Sequence, residues 1–157
     1  MTNQGINSLL NHRSIRKFKP DPVPDETIDL ILQAGTRAAS AGNLQAYSFA
    51  VVDKPALVKK LGSSAPIAVV ALVDQYRLKR WFELHDAPFY YDRAINLFIS
   101  YWDAVIALQN VVVAAESLVL GAQSMWGGDD PLHKRAGGLG CPGVRLPLRA
   151  RVHRLSG

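Results

Sequence analysis

Apolar residues recur at helical spacing in several stretches of this chain. The i, i+3, i+4 spacing of Ile6, Leu9 and Leu10 predicts a short first helix. A longer apolar stripe predicts a helix over about residues 26–39, and small residues near its end would allow close packing. Residues 75–86 also favour a helix, with aromatic side chains available for packing. The N-terminal half is therefore expected to be rich in helices.

Two other stretches show the pattern of strands. Residues 47–53 read as a strand and are followed by a short predicted helix over residues 54–61. Residues 66–74 form a continuous apolar run rich in β-branched residues. Such a run is typical of a central strand that is covered on both faces.

The strongest helical signal covers residues 93–120, which are apolar on more than one side. A helix of this kind lies in the centre of a core or in an oligomer interface. Asp103 and Glu116 make a membrane span improbable, because acids are rarely found at such depths in a bilayer. Helices and strands alternate without a βαβ repeat, so the predicted class is α+β with an antiparallel or mixed sheet.

Composition and charge bound the function. The 157 residues fit one domain, and the net charge of +5 is unevenly placed. Residues 131–157 contain six lysines and arginines and no acid, whereas the rest is nearly neutral. A single cysteine, Cys141, excludes an internal disulfide and a multi-cysteine metal site. The first residues lack the pattern of a signal peptide, so we expect a cytoplasmic protein.

A basic segment, residues 12–18 (HRSIRKF), carries the most concentrated chemistry. Arginine, histidine and serine side chains offer hydrogen-bond donors suited to an anion. In an extended segment, side chains alternate between two faces, so His12, Ser14, Arg16 and Phe18 would share one face and Arg13, Ile15 and Lys17 the other. The first face would be a row of donors that ends in an aromatic ring, suited to a phosphate and the polar edge of a flat ligand. A solvated basic turn is the alternative, because most charge runs are simply solvated.

Other motifs carry little weight. Residues 138–143 match G-x-G-x-x-G by letter, but no strand precedes them and a proline lies inside. The four histidines are scattered, so no metal site is expected. Ser14 and Ser40 lack histidine or acidic partners at a suitable spacing, which gives no support to nucleophilic catalysis. The basic tail could contact nucleic acid, but it has no aromatic residue to stack on bases.

Three stretches in register resemble the FMN-dependent nitroreductase family, nearest its oxygen-insensitive NADPH-type branch. They are the basic segment, residues 39–45 (ASAGNLQ) and residues 107–121. The resemblance implies an α+β fold with a mixed sheet, flanking helices and a long central helix. It also implies a homodimer in which two subunits share two active sites at their interface.

The resemblance further implies the cofactor and its contacts. NAD(P)H would reduce FMN, and the flavin would then reduce a small-molecule acceptor, which is a nitroaromatic compound, a quinone or a free flavin. No partner of nucleic acid or membrane is implied. The basic segment would hold the FMN phosphate, ribityl chain and pyrimidine edge through His12, Arg13, Ser14 and Arg16. The second stretch would contact the flavin through Ser40, Asn43 and Gln45.

The chain departs from the family pattern in three places, one of which is a loop before the central strand that is shortened to residues 62–65. Ala46 and Tyr47 stand where the family often has Pro-Trp. After Gly128 the family pattern is lost, so we predict an FMN-binding domain over residues 1–128 and a disordered basic tail over residues 129–157. Out-of-frame reading of the gene would explain that tail. The second functional hypothesis is then an inactive, truncated remnant that binds flavin weakly or not at all, with an unpaired sheet edge and poor solubility.

Overall fold

The structure is a computed structural model that describes residues 3–61, 63–89, 93–126 and 142–145. The helices in this part of the chain are α1 (Gln4–Leu10), α2 (Asp25–Thr36), α3 (Pro55–Lys60), α4 (Gln75–Leu84) and α5 (Ala94–Ser117). The strands are β1 (Tyr47–Val52), β2 (Ala68–Val73), β3 (Gln123–Trp126) and β4 (Pro142–Arg145). The predicted α+β class is confirmed.

The sheet has the strand order β1-β2-β4-β3, and every neighbouring pair is antiparallel. Strands β1 and β2 pair along their whole length, from Tyr47 opposite Val73 to Val52 opposite Ala68. Strand β2 lies between two neighbours, as its continuous apolar run predicts. Residues 142–145 belong to the stretch predicted to be a disordered tail, yet they form β4 between β2 and β3.

Helix α5 is the centre of the core. It packs against α2 and against the β1–β2 part of the sheet. The contact with α2 is unusually close at Gly35, because an added Cβ there would lie 2.6 Å from the Val111 Cγ2 atom. This position therefore requires glycine, since buried side chains are already close-packed.

The end of α2 differs from the prediction. The helix stops at Thr36, three residues before the predicted end at residue 39. The Gln45 side-chain amide donates to the Thr36 carbonyl oxygen at 3.0 Å, which satisfies one of the free carbonyls at the helix end. The residues after Thr36 are thereby released into the loop that follows.

By length and composition α5 would pass as a membrane span, and it is the one described helix that does. Its packing instead is that of a core helix, because eight of its residues are buried inside the protein. One side of its N-terminal half remains open, and its large apolar side chains are about half exposed: Ile95, Phe98, Trp102 and Ile106.

Candidate functional site

The basic segment runs as extended chain between α1 and α2, along the end of α5. Its backbone is anchored where the Ile15 N–H donates to the Ala122 carbonyl oxygen at 2.9 Å. Gly121 permits this approach, since an added Cβ would lie 3.0 Å from the Ile15 Cβ atom. Ile15 is half-buried, whereas Arg13, Ser14 and Arg16 are exposed. The segment thus presents polar side chains to solvent from a fixed backbone.

His12 is fixed by a long-range contact. Its Nδ1 atom lies 2.7 Å from the Glu116 Oε1 atom near the end of α5. The Glu116 side chain is 15% exposed and that of His12 is 44% exposed. This contact uses Nδ1, so the other ring nitrogen, Nε2, is the one left for a ligand.

An open cavity of about 670 Å³ lies beside the basic segment. Arg13 and Ile15 both line it, whereas His12, Ser14 and Arg16, the donors expected on the opposite face, do not. The other walls come from α1 and from the end of α5, including Glu116 and Val119. Its volume falls in the range of small-molecule sites, and Arg13 supplies a positive charge at its edge.

The turn after α5 forms one wall of this cavity and is strained. Leu120 N–H donates to the Ala115 carbonyl and Val119 N–H to the Glu116 carbonyl, which is the Schellman arrangement. That arrangement places Val119 in the left-handed region at a φ of 63°, where glycine is usual. A β-branched residue there stores local strain beside the cavity.

The second predicted stretch forms a loop over residues 40–45, which contains a 3-10 turn at Ala41–Asn43. Three of its residues have left-handed backbones: Gly42, Asn43 and Gln45. Within the loop, the Gln45 N–H donates to Ser40 Oγ at 3.3 Å. The Asn43 side chain is exposed. The hydroxyl hydrogen of Ser40 and the amide of Asn43 are therefore the groups that this loop offers outwards.

A buried carboxylate lies behind the loop. Asp103, on α5, is 4% exposed and accepts a hydrogen bond from the Ala41 N–H at 3.1 Å. Burial raises the pKa of the Asp103 carboxyl above its usual value, and the Ala41 hydrogen bond partly offsets this. Burial, and secondarily Asp103, also raises the pKa of Tyr47, whereas Arg77 lowers it. The Tyr47 hydroxyl is buried and has no hydrogen-bond partner among the described residues.

The two predicted halves of the site meet α5 at different places. The basic segment contacts Glu116, and the loop contacts Asp103, 13 residues earlier. At the α-helical rise this separation is about 20 Å. Within one chain the structure therefore does not bring the two sets of side chains to one point.

Three positioning side chains were missed by the sequence analysis: Arg77, Asp103 and Glu116. The two acids drew notice only as an argument against a membrane span. A stronger signal was available, because charged residues are almost never buried unless they are paired. Acids within an apolar core helix therefore indicate fixed partners elsewhere in the fold. The residues just after Gly128, where the family pattern is lost, lie outside the described residues.

Known proteins resemble this chain in sequence. The model of the nitroreductase family matches residues 9–139. A "NADPH-dependent oxidoreductase" of Staphylococcus saprophyticus is 31% identical over 131 residues, which cover 77% of this chain and 52% of the relative. An "FMN reductase (NADPH)" of Bacillus subtilis is 31% identical over 157 residues, covering 93% of this chain and 63% of the relative. The chain spans about half to two thirds of the length of such curated relatives.

Solved structures show the same fold. NfrA2 of B. megaterium superposes with a TM-score of 0.81 at 28% identity, over 99% of this chain and 70% of that one. An NADPH:FMN oxidoreductase of Vibrio harveyi, solved with NAD+, gives a TM-score of 0.75 at 27% identity. That match covers 99% of this chain and 73% of the other.

Proposed function

Because this chain belongs to the nitroreductase family, we propose that it is a cytoplasmic FMN-dependent oxidoreductase that uses NAD(P)H. Its acceptors would be nitroaromatic compounds, quinones or flavins. The names of its relatives support this proposal, since they include FMN reductases and NADPH-dependent oxidoreductases. When bound, FMN supplies two-electron transfer between NAD(P)H and the acceptor, so no nucleophile from the protein is needed.

The donor set of the basic segment fits the anionic part of FMN. Arg13 and Arg16 are exposed and have no acidic partner within the described residues. Their guanidinium groups, with the Ser14 hydroxyl and the outer nitrogen of His12, would bind the phosphate, the ribityl chain and the pyrimidine edge. Arg16 would also stabilise negative charge that develops at the pyrimidine edge. The observation that carries the proposal is this pair of exposed arginines, unpaired within the described residues, of which Arg13 lines the cavity.

The loop residues Ser40, Asn43 and Gln45 would contact FMN bound to a second copy of the chain, Gln45 through its side-chain oxygen because its amide nitrogen already binds Thr36. The separation of about 20 Å along α5 supports this arrangement, since the loop and basic segment of one chain lie apart. The half-exposed apolar side chains on α5 support it as well. Ile95, Phe98, Trp102 and Ile106 are spaced three or four residues apart, so they lie on one face of the helix. An apolar stripe of this length fits the equivalent stripe of a second copy.

The alternative is a remnant that binds flavin weakly or not at all. Its support is that the sequence departs from the family pattern after Gly128. The two hypotheses differ in one measurable property, which is the affinity for FMN.

Retention of FMN is the decisive experiment. The purified chain would be mixed with FMN and desalted, and its visible spectrum recorded before and after NAD(P)H is added without oxygen. We expect flavin bands that remain through desalting and bleach with NAD(P)H. A folded chain that stays colourless, and that does not change FMN fluorescence in a titration, would favour the remnant. Bands that remain but never bleach would support binding without the proposed activity.

A further inference from the structure

The loop over residues 40–45 does not owe its whole shape to its own backbone preferences. Gly42, Asn43 and Gln45 all have positive φ values, of 56°, 55° and 48°. Glycine adopts the left-handed conformation freely and asparagine more readily than other residues, whereas for a residue such as Gln45 it costs roughly 1–2 kcal/mol. Such a conformation persists only where the surrounding structure holds it.

Two side chains fix the loop, and the first lies on α5. The Asp103 carboxylate accepts the Ala41 N–H at the start of the 3-10 turn. A hydrogen bond to a carboxylate is roughly twice as strong as a neutral one. This bond joins two residues that are 62 positions apart in the sequence, so it fixes the loop to the core helix.

The second side chain that fixes the loop lies on α4. The Arg77 Nη2 atom donates to the carbonyl oxygens of Gln45 and, at 3.2 Å, of Tyr47. Arg77 is itself placed by Asp74, which accepts its backbone N–H at 2.9 Å as the helix cap. Asp74 also accepts a hydrogen bond from the Ser48 hydroxyl at 2.5 Å, so α4 and β1 are tied together.

These two side chains carry opposite charges and bind opposite backbone groups. A buried carboxylate accepts an N–H at one end of the loop, and a guanidinium donates to carbonyls at the other. We propose that Asp103 and Arg77 are positioning residues that hold the loop in the shape in which it contacts FMN. The cofactor part of this inference rests on the proposed function. Neither side chain needs to touch the flavin.

Substitution of Asp103 tests the contact between α5 and the loop. Asp103→Ala removes the acceptor, whereas Asp103→Asn keeps an oxygen that can accept the Ala41 N–H. We expect Asp103→Ala to speed amide hydrogen exchange at Ala41 in the FMN-free protein and to weaken FMN binding about tenfold. Asp103→Asn should restore both properties. Ser100→Ala is the matched control, because Ser100 is also buried on α5 but bonds to Asn96 and Gln75.

Substitution of Arg77 tests the contact from α4. This test does not require that Asp103→Ala folds. Arg77→Met keeps the aliphatic stem and removes the donors, so we expect a similar loss of FMN affinity. Arg80→Met is its control, since Arg80 lies on the same helix and pairs with Glu83 at the surface. Circular dichroism would verify that each variant is folded.

The readouts separate this inference from the proposed function. A wild-type chain that never binds FMN would overturn the proposed function. Amide hydrogen exchange at Ala41 would still show whether Asp103 fixes the loop. Unchanged exchange in folded Asp103→Ala would overturn the inference. Faster exchange with unchanged FMN affinity would show a purely structural bond and would also overturn it. The same applies if Arg77→Met binds FMN as the wild type does.

Discussion

The basic segment and the loop over residues 40–45 are both polar, but the fold treats them differently. The basic segment is held to the core by a long-range backbone hydrogen bond at Ile15 and by a side-chain contact at His12. Its arginines are exposed and unpaired within the described residues. The loop is held from behind by a buried carboxylate and by a partly buried guanidinium.

We therefore expect the two regions to contribute to binding in different ways. The exposed segment supplies charge, which a ligand can pair with at small cost to folding. The loop supplies shape, which must be built into the fold because its backbone is strained. Substitutions in the first region should therefore alter binding, and substitutions around the second should alter geometry and stability.

The largest effect is expected from Arg13→Ala combined with Arg16→Ala. Loss of two charge-assisted contacts should weaken FMN binding by about a hundredfold or more. The melting temperature should hardly change, because both side chains are exposed. Lys59→Ala combined with Lys79→Ala removes the same charge from other exposed positions and is the control. Equal losses in the two double variants would mean that only net charge matters.

The next effect concerns the pairing of the two regions across subunits. Trp102→Asp places a charge in the apolar stripe of α5, and we expect the dimer dissociation constant to rise about thirtyfold or more. FMN binding should fall with it, although neither polar region is touched. Trp81→Asp is the control, since Trp81 is similarly exposed, at 51% against 57%, but lies on α4. Sedimentation velocity would measure the assembly, and a monomer that binds FMN normally would break the proposed pairing.

A smaller effect is expected at the strained turn beside the basic segment. Val119→Gly should raise the free energy of unfolding by about 1 kcal/mol, because glycine adopts the left-handed conformation without a steric penalty. Leu118→Gly should lower it, since Leu118 has a φ of −96° and gains nothing from glycine. Urea denaturation would measure both variants. If Val119→Gly were no more stable than the wild type, this turn would not be a site of strain.

The smallest effect is a pH dependence at the loop. The folded-state pKa of Asp103 is raised above its ordinary value of 3.8, mainly by burial. The folded protein must ionise a buried group as the pH rises through that pKa, which costs stability. The wild type should thus lose stability relative to Asp103→Asn as the pH rises from about 4 towards neutrality. Thermal melts of both proteins across this range would show it, and a constant difference would contradict the raised pKa.

Much of the fold was predictable because its signals are local. Periodicity located the helices to within a few residues, as for α4, predicted at 75–86 and found at Gln75–Leu84. The predicted end of α2 lay three residues too far along the chain. The observed end, at Thr36, is stabilised by the side chain of Gln45, which lies nine residues further on. Strands β3 and β4 were missed, since each has only four residues and they form by pairing with each other and, for β4, with β2.

The candidate site was predicted in part, for the same reason. Composition and motif marked the basic segment and the loop, and their roles in binding FMN stay predictions. The side chains that hold them were not marked. Arg77, Asp103 and Glu116 have ordinary sequence neighbourhoods, and they gain their roles through contacts that span 32, 62 and 104 residues.

The sequence by itself determined which residues carry charge, where the helices and the two longer strands form, and that an apolar helix must lie in a core or in an oligomer interface. These properties depend on neighbours within a few residues. The tertiary structure alone decided that the basic segment and the loop meet α5 about 20 Å apart, and that Asp103 fixes the loop. The reason is physical: a distance along α5, or the burial of a carboxylate, exists only once distant segments have packed together.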